Sequence, residues 1–393
     1  MSPRFRLILV TAIAVVGDSL LIPFYPHFFT QVYGETDPEH VGFYIAASCF
    51  TVMAAFPFWA FMAKRISALR VLIATQMAAG ILSALCTWSG SLLIFWFLSL
   101  AMFAFKASYL LLYPYMLSLE PAHRHAGTIG LLSVIVHLGG IFGSLAAGLV
   151  FHWLEPRHLF LFMAACDTAQ ALICLPLAGT LKWGRTVTPG AVSPRSSRSP
   201  AAAFIYKLAP VMLLFYFSAF LIRPFFTRHW ESLSGLEDRA LAGLVFAIPG
   251  VVAVVALWLG RRPSGGAGRK RVVMAVLAGL LGCLLQASSD EVLVLTGRGL
   301  FGWALFHGFV RLDLLLFERS NPESYATDFS KINVCQQLGV LLSSFAAGSL
   351  VGAHGLRAPF YAAAAGFLLT AALSHLLLRP DAPPTIQRLP APS

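Results

Sequence analysis

The chain has 393 residues, 58% of them hydrophobic and only 11% charged, with a mean hydropathy of +0.76. A soluble domain carries about a quarter of its residues as charges, so these figures exclude a disordered chain, a disulfide scaffold and an ordinary water-soluble enzyme. The net charge of +11 is spread between long apolar runs rather than gathered into a basic patch, which points to a lipid bilayer and away from nucleic acid.

A helix that crosses a bilayer needs ~20 mostly apolar residues. In chain order, stretches of that kind lie at 7–30, 41–63, 70–89, 91–118, 127–151, 158–180, 204–228, 239–260, 271–288, 291–317, 327–351 and 357–378. Arg4 and Arg6 precede the first, and no small-residue cleavage site follows it. It therefore reads as a retained span and not as a removed signal. The expected fold class is an all-α membrane protein with twelve transmembrane helices in two six-helix, pseudo-symmetric halves. The halves are a bundle at 1–180 and a bundle at 204–380, joined by a linker at 181–203 and followed by a tail at 381–393. The linker is rich in Pro, Ser and Arg, a composition that suits a hinge.

Charge sets the expected orientation. Nineteen Lys and Arg fall on the side of the two ends and the linker, four fall on the other side, and five lie within spans. Both termini and the linker are thus expected in the cytoplasm. The opposite side carries acids instead, among them Glu35, Asp37, Glu39, Glu231 and Asp238. The six cysteines all lie in apolar runs without a CxxC pair, so they read as small buried side chains. No metal or other cofactor is expected.

The halves repeat each other. Span five reads HLGGIFGSLAAG over 137–148 and span eleven reads QLGVLLSSFAAG over 337–348, with Gly139, Gly148, Gly339 and Gly348 in register. Arg157 and Phe160 match Arg357 and Phe360. Span one has LLIPFYPHFF (20–29) where span seven has FLIRPFF (220–226), a near match with one insertion. Because each copy has six spans, the repeat is parallel.

Four segments carry a resemblance to a known family: LIPFYPHFF in span one, PFWAFMAKRISALRVLI (57–73) after span two, Gly139, Gly143 and Gly148 in span five, and MLLFYFSAFLI (212–222) in span seven. The chain resembles the major facilitator superfamily over essentially its full length, and within it the drug/proton antiporters that include the tetracycline exporters. The span-five pattern is similar to the family's GxxxGPxxGG motif, with Ser144 for Pro and Ala147 for Gly. Small residues at this spacing let helices approach closely. The loop after span two keeps Arg65 of the family's gate motif and has Lys64 where an Asp is usual. The resemblance implies a proton-coupled secondary transporter of the bacterial inner membrane, acting as a monomer with a small molecule and protons as its partners.

Two strings resemble enzyme motifs without their setting. Gly297-Arg298-Gly299-Leu300-Phe301-Gly302 fits GxGxxG but lies inside an apolar run, where a dinucleotide site needs a strand before it. Ser264 to Lys270 lacks the ending of a phosphate loop. No HExxH, GxSxG or paired-carboxylate pattern occurs, and the chain is expected not to be an enzyme.

Ionisable groups inside a span are costly and face a cavity or a partner. They are Asp18, Lys106, Asp167, Arg223, Arg298, Arg311, Asp313 and Lys331. Six of the eight fall on spans one, four, seven and ten, which line the central cavity in the resembled family. Lys106 shares a helix face with Tyr109 and Tyr113. Arg223 precedes Pro224, which weakens local helix bonding. Cations outnumber anions five to three, so the expected substrate is acidic, such as a carboxylate siderophore or a related organic acid. Phe24, Tyr25, Arg298, Arg311, Asn333 and Gln337 are further candidate contacts. Internal pairing, such as Asp18 with Arg223 or Lys106, is the alternative. Asp18 is the first candidate to carry the coupled proton and Asp167 the second. Asp328 and Lys331 read as an i, i+3 ion pair, and His137 and His307 as packing residues. The competing functions are a broad multidrug or tetracycline-like efflux pump, a proton-coupled importer of organic acids, and a scaffold that transports nothing.

Overall fold

The computed structural model describes residues 3–378 apart from 113–114, 117–124, 181–199, 237, 260–268 and 320–324. Tyr113, most of the expected linker and the expected tail lie outside the described residues. So do the side chains of Lys64, Ser144 and His137.

Every long element is an α-helix: α1 Pro3–Ser19, α2 Tyr25–Tyr33, α3 Pro38–Arg65, α4 Ala68–Thr87, α5 Leu92–Lys106, α6 His125–Trp153 and α7 Leu159–Thr180, then α8 Pro200–Leu221, α9 Phe226–Ser234, α10 Arg239–Leu259, α11 Arg269–Gln286, α12 Glu291–Arg319, α13 Tyr325–His354 and α14 Ala358–Leu377. No strand occurs among the described residues. Ten helical stretches there are long and apolar enough to cross a membrane. The helices follow the order of the expected spans. Expected spans five and nine correspond to α6 and α11, which are not among the ten; α11 opens with Arg269, Lys270 and Arg271. Phe43, Phe50, Phe97, Leu172 and Phe345 stand exposed on the outside of the bundle, the arrangement that lipid rewards.

Spans one and seven are each broken at the same place. A 3-10 turn at Ile22–Phe24 separates α1 from α2, and a turn at 222–225 separates α8 from α9. Pro23 and Pro224 withdraw a backbone donor there. Phe24 and Phe225 then share one backbone geometry, with φ, ψ of −112°, 2° and −114°, 3°. Both short helices end on a left-handed glycine, Gly34 at φ 71° and Gly235 at φ 66°, a conformation that only glycine adopts without strain. The repeated arginines also have matching tasks. Arg157 donates to Ser89 O at 3.3 Å and Arg357 to Ser289 Oγ at 2.8 Å, each tying a loop to the turn after the third span of its set.

The glycine pattern supplies close crossings. A Cβ at Gly143 would lie 2.6 Å from Val16 O, and one at Gly139 would lie 2.8 Å from Val15 Cγ1, so α6 lies directly on α1. Gly339 makes the same approach to Leu213 O on α8. The last glycine of each copy crosses to the other set of helices: Gly148 meets Arg239 O and Gly243 of α10, and Gly348 meets Pro38 O and Gly42 of α3. The sets α1–α7 and α8–α14 therefore meet along α6/α10 and α3/α13.

The two faces of the molecule differ. One continuous core joins Phe24, Phe28, Tyr44 and Phe151, on the side away from Pro3, to residues of α8–α14, and it runs on through that set as far as Leu378. Near Pro3 a separate core of Leu7, Val10, Leu69, Leu72, Leu132 and Leu177 contains no residue of α8–α14. The sets are sealed together at the face away from Pro3, whereas near Pro3 the first set has a core of its own.

Candidate functional site

Two charged constellations lie in the middle of the bundle. In the first, the Lys106 ammonium at the end of α5 donates to Asp18 Oδ1 of α1 at 2.9 Å and to Asp167 Oδ1 of α7 at 2.6 Å. Asp167 also accepts from Ser83 Oγ at 3.1 Å and from Gln170 Nε2 at 3.4 Å. The Lys106 and Asp167 side chains are 3% and 1% exposed, whereas Asp18 is 25% exposed. Two carboxylates share one ammonium, so the group carries one net negative charge when all three are ionised. Lys106, expected as a cation that binds substrate, has both near positions taken by aspartates. Its α-helix passes into a 3-10 turn at Ala107–Leu111, which interrupts the spacing that placed Tyr109 and Tyr113 on its face. Tyr109 packs against the core near Pro3.

The second constellation is a recess between the two sets, lined by Ser19 and Ile22 of the first broken span, Gly140 of α6, Arg223, and residues of α10 and α12 including Arg298. Its volume is about 40 Å³, room for roughly three waters, so a metabolite enters only when the sets part. Arg223 sits in the break after α8, its guanidinium 3.9 Å above the Phe220 ring. Arg298 is 2% exposed. It donates to Val245 O at 3.4 Å, Phe246 O at 2.8 Å and Gln286 Oε1 at 3.4 Å, and it lies 3.8 Å over the Phe226 ring. Among the described residues neither arginine forms an ion pair with a carboxylate.

Toward the sealed face, the short helices of the two broken spans are bonded to each other. His27 Nε2 meets Glu231 Oε2 at 2.5 Å, and Thr227 Oγ1 donates to Pro23 O at 2.5 Å.

Other expected contacts lie apart from the recess. Phe24 is fully buried and stacks on Phe151 at 4.9 Å, and Tyr25 packs edge-on to Tyr44. Arg311 is thirteen residues from Arg298 along α12, about 20 Å at the rise of an α-helix. Asn333 and Gln337 are half-buried on α13 and do not line the recess. Arg65 is exposed and lies 4.6 Å over the Phe61 ring. On α13, Asp328 is buried and Lys331 is exposed. In the GxGxxG string, Gly297 packs on Gly282 and Leu285, and Gly302 on Pro249, so these two serve helix packing, while Gly299 faces open space. Pro249, Gln286 and His27 were not singled out from the sequence, and Glu231 only as an acid of the side opposite the termini. A proline and a glutamine inside apolar helices, and the 201-residue offset between Gly34 and Gly235, were the available signals.

The model for the Major Facilitator Superfamily matches residues 7–310. Human solute carrier family 67 member A1 is 30% identical over 192 residues, covering 48% of this chain and 44% of that protein. The chain thus matches less than half the length of that curated relative. Among solved structures, the human organic anion transporter MFSD10 aligns over 95% of this chain and all of that one, with a TM-score of 0.69 and 16% identity. The nucleoside transporter NupG aligns over 97% of this chain and all of that one, with a TM-score of 0.68 and 14% identity. An inward-facing, occupied bacterial homolog of the human lysosomal transporter Spinster gives a TM-score of 0.72 at 12% identity, over 95% of this chain and 96% of that one. At these identities the likeness speaks to the fold.

Proposed function

The chain belongs to the major facilitator superfamily and is a membrane transporter of that type, and on this premise we propose that it exports an anionic small molecule in exchange for protons. The observation that carries the sign of the substrate is the recess, where Arg223 and Arg298 lie together and no described carboxylate pairs with either. Desolvated cations are costly until an anion joins them. Phe246 and Phe301 beside them suit an acid with apolar or aromatic parts, such as a carboxylate siderophore or a related organic acid. MFSD10, which shares the fold, is an organic anion transporter, and this supports the reading by analogy of fold.

The aspartate pair supports proton coupling. A proton added to Asp18, the more exposed acid, leaves Lys106 still paired with Asp167. Asp18 can therefore change charge within the cycle without stranding a buried ammonium. The charge asymmetry of the loops supports cytoplasmic termini in a bacterial inner membrane. In that orientation the sealed face is external, and the face near Pro3 is the one from which cytoplasmic substrate enters.

The test is transport by reconstituted protein carrying Arg223→Gln or Arg298→Gln, with one acidic and one cationic compound. Loss of a charge-assisted hydrogen bond, ~1.5–3 kcal/mol, weakens the acid roughly tenfold to a hundredfold and spares the cation. Loss of cation transport with intact acid transport overturns the reading in favour of a tetracycline-like drug pump.

A further inference from the structure

Arg298 is among the largest buried side chains of the protein, and a guanidinium that deep needs acceptors. One of them exists because of a proline. In an uninterrupted α10, Val245 O would accept from the N–H of residue 249; Pro249 has none, and Arg298 Nε donates to that oxygen at 3.4 Å. The next carbonyl, Phe246 O, accepts from Nη2 at 2.8 Å. Gly302 allows this contact between helices, since a Cβ there would collide with Pro249 Cα. The third acceptor, Gln286 Oε1 of α11, is fixed in turn: Gln286 Nε2 donates to Gly282 O at 3.0 Å and to Gly297 O at 3.4 Å.

These bonds use three of the five guanidinium N–H groups. One edge of the fork, Nε with Nη2, is spent on the two α10 carbonyls. One N–H remains on each terminal nitrogen, and a carboxylate that accepts one from each binds end-on. Arg298, Pro249 and Arg223 line the same recess. We infer that Pro249 and Gln286 are positioning residues that turn the end of the Arg298 guanidinium into the recess, so that it receives a carboxylate end-on beside Arg223. The inference rests on the anionic-substrate reading and names the group of the substrate that is read there.

The experiment titrates purified full-length protein in detergent with phthalate, and with neutral phthalamide as a control, by calorimetry. Pro249→Ala returns an N–H to Val245 O and takes the Nε acceptor away; Gln286→Leu removes the Nη1 acceptor and keeps the volume. Each is expected to weaken phthalate about five- to twentyfold without affecting phthalamide. In an Arg298→Gln background, Pro249→Ala and Gln286→Leu are expected to have no further effect, because both act through the arginine. A purely structural role would give the same fold-change in either background. If Arg298→Gln weakens phthalate but Pro249→Ala and Gln286→Leu bind as the parent does, the positioning inference is overturned and the anionic reading stands. If Arg223→Gln and Arg298→Gln both bind as the parent does, or the parent takes no phthalate at millimolar concentration, the anionic reading falls with it. Gln286→Leu alone decides the matter should Pro249→Ala fail to fold.

Discussion

Replacing Lys106 by methionine keeps the length of the side chain and deletes its charge. The ammonium lies 2.6 Å from Asp167 Oδ1 and 2.9 Å from Asp18 Oδ1. Its removal leaves two carboxylates facing each other, one of them 1% exposed. Stranding a buried charge by removing its partner costs about 3–5 kcal/mol. The remaining bonds to Asp167, from Ser83 and Gln170, are too weak to offset that, and protonation of a carboxylate sets the upper limit of the loss. At roughly 2 °C per kcal/mol for a large chain, the midpoint of unfolding should fall by about 6–10 °C. Cys86, Cys174 and Cys283 are free and buried, so a thiol-reactive dye added to detergent-solubilised protein reports unfolding directly. The triple variant Lys106→Met, Asp18→Asn, Asp167→Asn has no ions to strand and should recover most of the midpoint while remaining inactive in proton-driven transport. A Lys106→Met protein that unfolds at the parent temperature at neutral pH would refute the closed ion cluster.

Asp18→Asn should insert and fold yet lose gradient-driven exchange in vesicles; full activity would remove Asp18 from the coupling step and turn attention to Asp167 and Asp313. Glu231→Ala breaks the 2.5 Å bond to His27 between the two sets, so a cysteine introduced at Ile22 should label faster from the sealed face, and exchanging the two residues should restore protection. Equal labelling in all three proteins would show that this bond does not hold the face shut. Gly143→Leu places a Cβ 2.6 Å from Val16 O and should abolish folded yield, whereas Gly299→Ala points into open space and should be neutral; similar yields from both would contradict the α1/α6 crossing. A reporter fused within 181–203 should be active in the cytoplasm, and periplasmic activity would invert the orientation.

The candidate site was half legible in the sequence. Asp18, Lys106, Asp167, Arg223 and Arg298 stand out in apolar spans because a charge in lipid is expensive enough to demand a purpose. Composition and apolar run length pointed to a helical membrane bundle, because lipid leaves a lone helix no other way to satisfy its backbone. The repeat at an offset of about 200 residues placed a proline at matching points of spans one and seven, yet the sequence read both as continuous at 7–30 and 204–228, and the breaks before α2 and α9 became visible only in the structure. Partnership is another matter. Lys106 joins Asp18 and Asp167 from helices 88 and 61 residues away, and Arg298 finds its acceptors 52, 53 and 12 residues away. No periodicity along the chain encodes which helix faces meet. Helix packing decides that, and with it which cations in the bundle meet a carboxylate, as Lys106 does, and which meet only neutral acceptors, as Arg298 does.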